Sequence, residues 1–224
     1  MTRVALGIPS NGLWYAGFGS ALAKMTKYTK HEILMLSKIG SALSTMRTEM
    51  VVQALHAECT HLLFVDTDMV FQPSMLDDLI DDGVEVVAAN CPVKSVPSQP
   101  TARRWDGRKY ELVFTNDECE RLERVDRVGT GVMLIDLSIM SRVEAPWFAF
   151  RPYEGGGYQG EDWCFCEQLE KANIPIWVDH EVSKDIGHIG YLTHTHRMVK
   201  PEMLKHGGQK EYRRWEDHLV NGAG

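Results

Sequence analysis

Along residues 1–90 the hydrophobic pattern switches repeatedly between short apolar runs and longer stretches of helical period. Residues 3–9 (RVALGIP) are an apolar run that stops at Pro9-Ser10-Asn11-Gly12, which predicts a buried strand ended by a turn. Residues 13–26 space Leu, Trp, Phe, Ala, Leu and Met at helical intervals, with Gly17 and Gly19 weakening the helix. Residues 32–36 (EILML) predict a second strand. Residues 41–59 give the clearest helix: Leu43, Met46, Met50, Val51, Ala54 and Leu55 share one face, and Ser41 is placed to cap it. Residues 61–65 (HLLFV) read as a buried strand that breaks off at Asp66-Thr67-Asp68. Pro73 opens a third helix whose Leu76, Leu79 and Ile80 face inward, Gly83 stops it, and residues 84–89 form a fourth strand.

The second half has a different texture. Pro92, Pro97 and Pro100 punctuate a loop, and residues 110–114 and 122–128 alternate as antiparallel strands do. Residues 132–136 (VMLID) predict a strand after Gly129-Thr130-Gly131, with Ser138 capping a short helix. A glycine-rich segment at 152–160 precedes a helix at 161–171 and a strand at 175–178. Alternating strands and helices predict an α/β fold with a mostly parallel central sheet covered by helices on both faces. In such sheets ligands sit beyond the carboxyl ends of the strands, so residues 9–12 and 66–68 attract attention.

Composition narrows the class. With 44% hydrophobic and 25% charged residues, the 224-residue chain can bury a core and is not mainly disordered. We expect a single domain over 1–224, with 1–95 as one half and 96–224 as the other half plus a tail rich in His and basic residues. No apolar run nears the ~20 residues that cross a bilayer, so no integral membrane segment is expected. The first residues carry one basic side chain and no cleavable apolar segment, so no secretory signal is expected. Five cysteines without CxxC spacing point to reduced thiols and a cytoplasmic location. The net charge of −7 opposes whole-surface binding of polyanions. It leaves room for local patches at Arg103-Arg104, Arg108-Lys109 and Arg213-Arg214, which have Trp105 and Trp215 beside them.

Three features carry chemistry. Asp66 and Asp68 place hard oxygen ligands at the end of a buried strand, where charge must be solvated, paired or bound to a cation; Mg²⁺ or Mn²⁺ suits them, and a diphosphate suits the ion. A solvated turn would show the same residues. Glu161-Asp162 opens a helix, where carboxylates complement the dipole or can serve as a general base at a cleft mouth. His188, flanked by Gly187 and Gly190, can ligate a metal or merely hydrogen-bond. A zinc site built from His188, His194 and His196 is a further alternative, although the spacing matches no established pattern.

Taken in order, DTD, GED and the glycine-flanked histidine resemble the GT-A glycosyltransferases, DxD-containing enzymes that use nucleotide sugars, and among these the short bacterial and bacteriophage forms. The likeness is densest at 61–94 (HLLFVDTDMVFQPSMLDDLIDDGVEVVAANCPVK) and returns at 129–136 (GTGVMLID) and 160–179 (GEDWCFCEQLEKANIPIWVD). It implies a Rossmann-like GT-A sheet with a smaller antiparallel acceptor-side portion, the nucleotide sugar bound by residues 1–95, and residence in the cytosol of a bacterium or phage-infected host. It implies that Pro9, Ser10, Asn11, Arg47, Asp66 and Thr67 contact the nucleotide sugar. Asp66, Asp68 and His188 would hold Mn²⁺ (or Mg²⁺). Asp162 would be the base and Glu161 would orient the acceptor, with Trp163 and Gly131 on the acceptor side. The implied reaction moves a hexosyl or pentosyl group from a nucleotide sugar, UDP-sugar by family frequency, to a hydroxyl, with inversion. The acceptor expected is a glycan, a small molecule or a modified base in phage DNA. Two rivals stand beside it: a nucleotide-sugar-binding module without turnover, and a sugar nucleotidyltransferase, which would want a glycine-rich, arginine-bearing loop where this chain has Pro9-Ser10-Asn11-Gly12.

Overall fold

The computed structural model describes residues 2–152, 156–190 and 193–199. The first half runs β1 (Arg3–Ser10), α1 (Ala16–Tyr28), β2 (Glu32–Ile39), α2 (Leu43–His56), β3 (His61–Val65), β4 (Met69–Val70), α3 (Met75–Asp81) and β5 (Val86–Ala88). The second half continues with β6 (Arg103–Trp105), β7 (Tyr110–Leu112), β8 (Leu122–Val125), β9 (Val132–Asp136), β10 (Arg151–Pro152), β11 (Tyr158–Gln159), α4 (Glu161–Lys171), β12 (Ile176–Asp179), α5 (His180–Lys184), β13 (Gly187–Ile189) and β14 (Thr193–His194).

Seven strands form the central sheet in the order β2-β1-β3-β9-β5-β12-β8. β2, β1, β3, β5 and β12 run one way; β9, inserted between β3 and β5, and the edge strand β8 run the other. The inner strands are buried on both faces, which is why β1 and β3 read as unbroken apolar runs rather than as alternation. One face packs Met50, Val51 and Ala54 of α2 and Phe165, Cys166 and Leu169 of α4. The other packs Phe18, Leu22 and Met25 of α1 and Met75, Leu76 and Leu79 of α3. Sandwiching the sheet leaves its strand ends as the open edge, and the carboxyl ends of β1 and β3 lie side by side there.

Several local expectations need correction. α2 starts at Leu43 after Ala42 with no side-chain cap, so Ser41 is not its cap, and the helix closes at His56, with Glu58 in the left-handed region at φ 55°. Its outer positions Leu43 and Leu55 stay 37% and 39% exposed, so the buried face is narrower than the periodicity suggests. Asp136, not Ser138, caps the short 3₁₀ turn, accepting from the Ser138 N–H. β7 pairs with β6, a segment for which the sequence predicts no strand, while β8 joins the main sheet against β12. Tertiary pairing decided both; β6, at three residues, is too short to show a period of its own.

Candidate active site

The turn after β1 is pinned by its own side chains. Ser10, nearly fully buried, accepts the Gly12 N–H at 3.0 Å and donates to the Leu13 carbonyl at 3.3 Å, and Asn11 Oδ1 accepts the Leu13 N–H at 3.2 Å. The Tyr15 N–H then reaches the Thr67 carbonyl at 3.3 Å, tying this turn to the one after β3. Between them lies a cleft of about 440 Å³, lined by Pro9, Ser10 and Asn11, by Gly40, Ser41, Leu43 and Met46 across from them, and by Asp66, Thr67 and Asp68. That is the size range of small-molecule sites.

Arg47 joins the two acidic motifs. It lies on the buried face of α2, only 2% exposed. Its Nη2 meets Asp66 Oδ1 at 2.9 Å, and its Nη1 forms a close ion pair with Glu161 Oε1 at the start of α4. A cation in this position would be costly without such partners, and each carboxylate would be costly without the cation. Arg47 is not among the residues lining the cleft, although the cleft carboxylate Asp66 rests on it. Burial pushes the Asp66 carboxyl up, with Arg47 opposing the rise. The Asp66 N–H donates to the Gly131 carbonyl at 2.9 Å, and the Gly131 Cα lies so close that an added Cβ would stand 3.6 Å from Asp66 Oδ2. Gly131 therefore flanks the first aspartate. Next to Glu161, Asp162 has its carboxyl raised by burial and then by the Glu161 charge, with the Trp163 N–H, at 2.8 Å from Oδ1, pulling the other way. A carboxylate that binds its proton more readily than usual is suited to general-base work.

A small three-stranded sheet brings the late histidine to the second aspartate. β13 pairs antiparallel with β4, His188 opposite Met69, and the Ile189 N–H donates to the Asp68 carbonyl at 2.7 Å. His188 Nε2 stands 3.3 Å from Asp68 Oδ2, while its Nδ1 lies 2.8 Å from the Pro92 carbonyl. A carbonyl only accepts, so Nδ1 carries a proton. Nε2 then faces the carboxylate either as the N–H of an imidazolium or as a lone pair open to a cation, and two facing lone pairs require something positive between them. Lys94 also ion-pairs with Asp68 Oδ2. Burial would raise the Asp68 carboxyl, but hydrogen bonds and charge from His188 and Lys94 outweigh it and hold it at about 2. Among the described residues no three His, Cys, Asp or Glu side chains converge on one point as a ready metal cage. The donor chemistry of Asp68 and His188, with a carbonyl behind the imidazole, nonetheless fits Mn²⁺. His196 Nε2 donates instead to the Asn90 carbonyl, so the three histidines do not form a zinc site.

Next to Asp162, Trp163 stands edge-on to Tyr110, which in turn abuts Trp105. Arg213-Arg214 with Trp215, and Gly155 of the glycine-rich segment, lie outside the described residues. Sequence reasoning missed Lys94 and the Pro92 carbonyl, which no spacing announces. It also missed that Arg47 bridges DTD and GED, although a cation on the apolar face of α2, between Met46 and Met50, was a signal of a buried partner.

No family model matches this chain, and no curated protein matches it. Solved structures do. The crystal structure of A197 from STIV superposes with a TM-score of 0.58 at 18% identity, covering 85% of this chain and 86% of that one. The catalytic domain of Drosophila β1,4-galactosyltransferase 7 in complex with xylobiose gives a TM-score of 0.50 at 13% identity, covering 85% of this chain and 71% of that one. A mutant of the Drosophila enzyme, in complex with manganese, UDP-Gal and xylobiose, gives 0.50 at 14% identity over 96% and 80% of the two chains. At these identities the likeness establishes the fold, which is that of the GT-A glycosyltransferases.

Proposed function

We propose that this chain is a divalent-metal-dependent, inverting glycosyltransferase that moves a hexosyl or pentosyl group from a nucleotide sugar, UDP-sugar first, to an acceptor hydroxyl. One observation carries the reading: a single buried arginine, Arg47, binds the end of the DTD turn and the start of the GED helix, so that two acidic motifs far apart in sequence meet at one rim of a GT-A fold. The neighbour holding manganese and UDP-Gal agrees with the reading.

In this reading the cleft between the turns after β1 and β3 takes the nucleotide, with Pro9, Ser10, Asn11 and Thr67 as its walls. Asp68 and His188 hold the cation, with Asp66 beside them. When bound, such a cation supplies charge neutralisation at the departing nucleoside diphosphate. Lys94 adds a positive charge at the same rim. Asp162 accepts the proton of the attacking hydroxyl while the new C–O bond forms at the anomeric carbon and the bond to the diphosphate oxygen breaks. Glu161, held by Arg47, and Trp163 and Gly131 orient the acceptor, and holding both reactants together supplies much of the rate.

The test is a nucleotide-sugar hydrolysis panel with and without Mn²⁺, repeated on Asp162→Ala. We expect slow hydrolysis of one donor, stimulated by Mn²⁺, and in the variant lost transfer with nucleotide binding retained. Unchanged transfer by Asp162→Ala refutes the base. Nucleotide-sugar binding without any turnover favours a binding module. Turnover that survives chelation and is lost in Lys94→Met moves the cationic role from a metal to Lys94.

A further inference from the structure

The β6–β7 hairpin is built to present aromatic surface. Its turn is locked: Asp106 Oδ1 accepts the N–H groups of Arg108 at 2.7 Å and Lys109 at 2.8 Å, Gly107 takes φ +98°, and the Trp105 N–H is fixed to Asp126 Oδ2 at 2.6 Å. Held this way, Trp105 remains 48% exposed. Trp105 is paired across the hairpin with Tyr110, ring centroids 5.0 Å apart, and Tyr110 lies 5.2 Å from Trp163. Arg127, itself buried and paired with Glu170 at 2.9 Å, backs the Tyr110 ring from within, 5.0 Å from its centroid. The three rings make a row that begins at the residue after Asp162 and runs outward over the hairpin. Rings with few rotatable bonds on a locked turn give contact area at small entropic cost.

Stacking alone suits either a sugar or a base. Charge separates them. Strand alternation puts Arg104 and Glu111 on the opposite face of the hairpin from Trp105 and Tyr110. Arg104 ion-pairs with Glu123, Lys109 with Glu111 at 3.4 Å, and Arg103 turns its guanidinium onto the carbonyls of Pro100 and Ala102. Among the described residues, Arg108 alone of these four has no such partner. A polyanion needs several free cations along its track, and the ring face does not offer them. We propose that Trp105, Tyr110 and Trp163 form a platform for an uncharged oligosaccharide, whose apolar ring faces stack on the aromatic row while its terminal hydroxyl meets Asp162. The inference deepens the transferase reading and rests on it for the role of Asp162.

The experiment titrates the full chain with cello-, chito-, xylo- and manno-oligosaccharides, and with a short oligothymidylate, following tryptophan fluorescence. The expected result is saturable binding of at least one saccharide series and none of the oligonucleotide. Trp105→Ala should weaken that binding by about tenfold, as loss of an aromatic anchor does, and Trp105→Phe should restore most of it. Binding of no saccharide, preference for the oligonucleotide, or equal binding by Trp105→Ala overturns the platform. Donor hydrolysis by the unmodified chain separates the two readings: hydrolysis without saccharide binding sinks the platform alone, and saccharide binding without hydrolysis of any nucleotide sugar sinks the transferase alone.

Discussion

Arg47, Glu161 and Asp162 show how much depends on single charges. Removing the guanidinium in Arg47→Ala leaves Glu161 unpaired in the interior and Asp66 unpaired at the cleft. The expected loss is about 3 kcal/mol, the low end for a broken buried pair because Asp66 keeps some solvent; a urea unfolding midpoint measures it. Asp162 gives a pH prediction whose sign is fixed. Its folded-state carboxyl lies above the ordinary 3.8 because of burial and the Glu161 charge. Its protonated form is therefore the one the fold favours: the contribution to stability is complete below 3.8 and is lost as pH rises through the folded value. Asp162→Asn, which mimics the protonated form, should then melt at a higher temperature than the parent chain at pH 7 but not at pH 3. It should also lose transfer, the usual exchange of stability for function at a strained site. The same raised carboxyl places the acid limb of the kcat/KM profile above the ordinary carboxylate range, which a pH–rate series reads directly.

At the scale of elements, the approach of His188 to Asp68 depends on the short β4–β13 pairing. Gly187 makes that approach possible: a Cβ there would meet Val70 Cγ2 at 2.5 Å and Thr193 Cγ2 at 2.7 Å, both on short branched side chains. Gly187→Ala should push β13 from β4 and cost about 1–3 kcal/mol through overpacking. It should also carry His188 away from Asp68, so that Mn²⁺-dependent UDP binding weakens while binding of UDP alone changes little; calorimetric titrations with and without the metal tell these apart. Elements of this kind were the least legible in the sequence. Residues 132–136 and 161–171 match β9 and α4 in full, the first as an unbroken apolar run ended by Asp136 and the second as a segment long enough to display a helical period. β4, β6, β13 and β14 have two or three residues each, and such strands exist only because a partner is present.

For the molecule as a whole, folding should be coupled to ligand. If the cleft binds UDP with Mn²⁺, saturation at about a hundred times the dissociation constant should add about 2.7 kcal/mol of stability. A thermal-shift series should show the gain in the parent chain and little of it in Asp68→Asn. The two cores were largely visible beforehand: the apolar runs of β1 and β3 and the faces of α1, α2 and α3 already called for a sheet covered on both sides. The sequence alone therefore determined the layers, the strand ends at which a ligand would sit, and the residue types standing there, because burial writes a periodic pattern into neighbouring positions. Only the tertiary structure decided that β9 runs antiparallel inside the sheet, that Arg47 joins Asp66 to Glu161, that Lys94 and His188 share Asp68, and that Trp105 lines up with Trp163. Each of these is a contact between segments distant along the chain, and local periodicity carries no information about which distant charge or ring will become a neighbour.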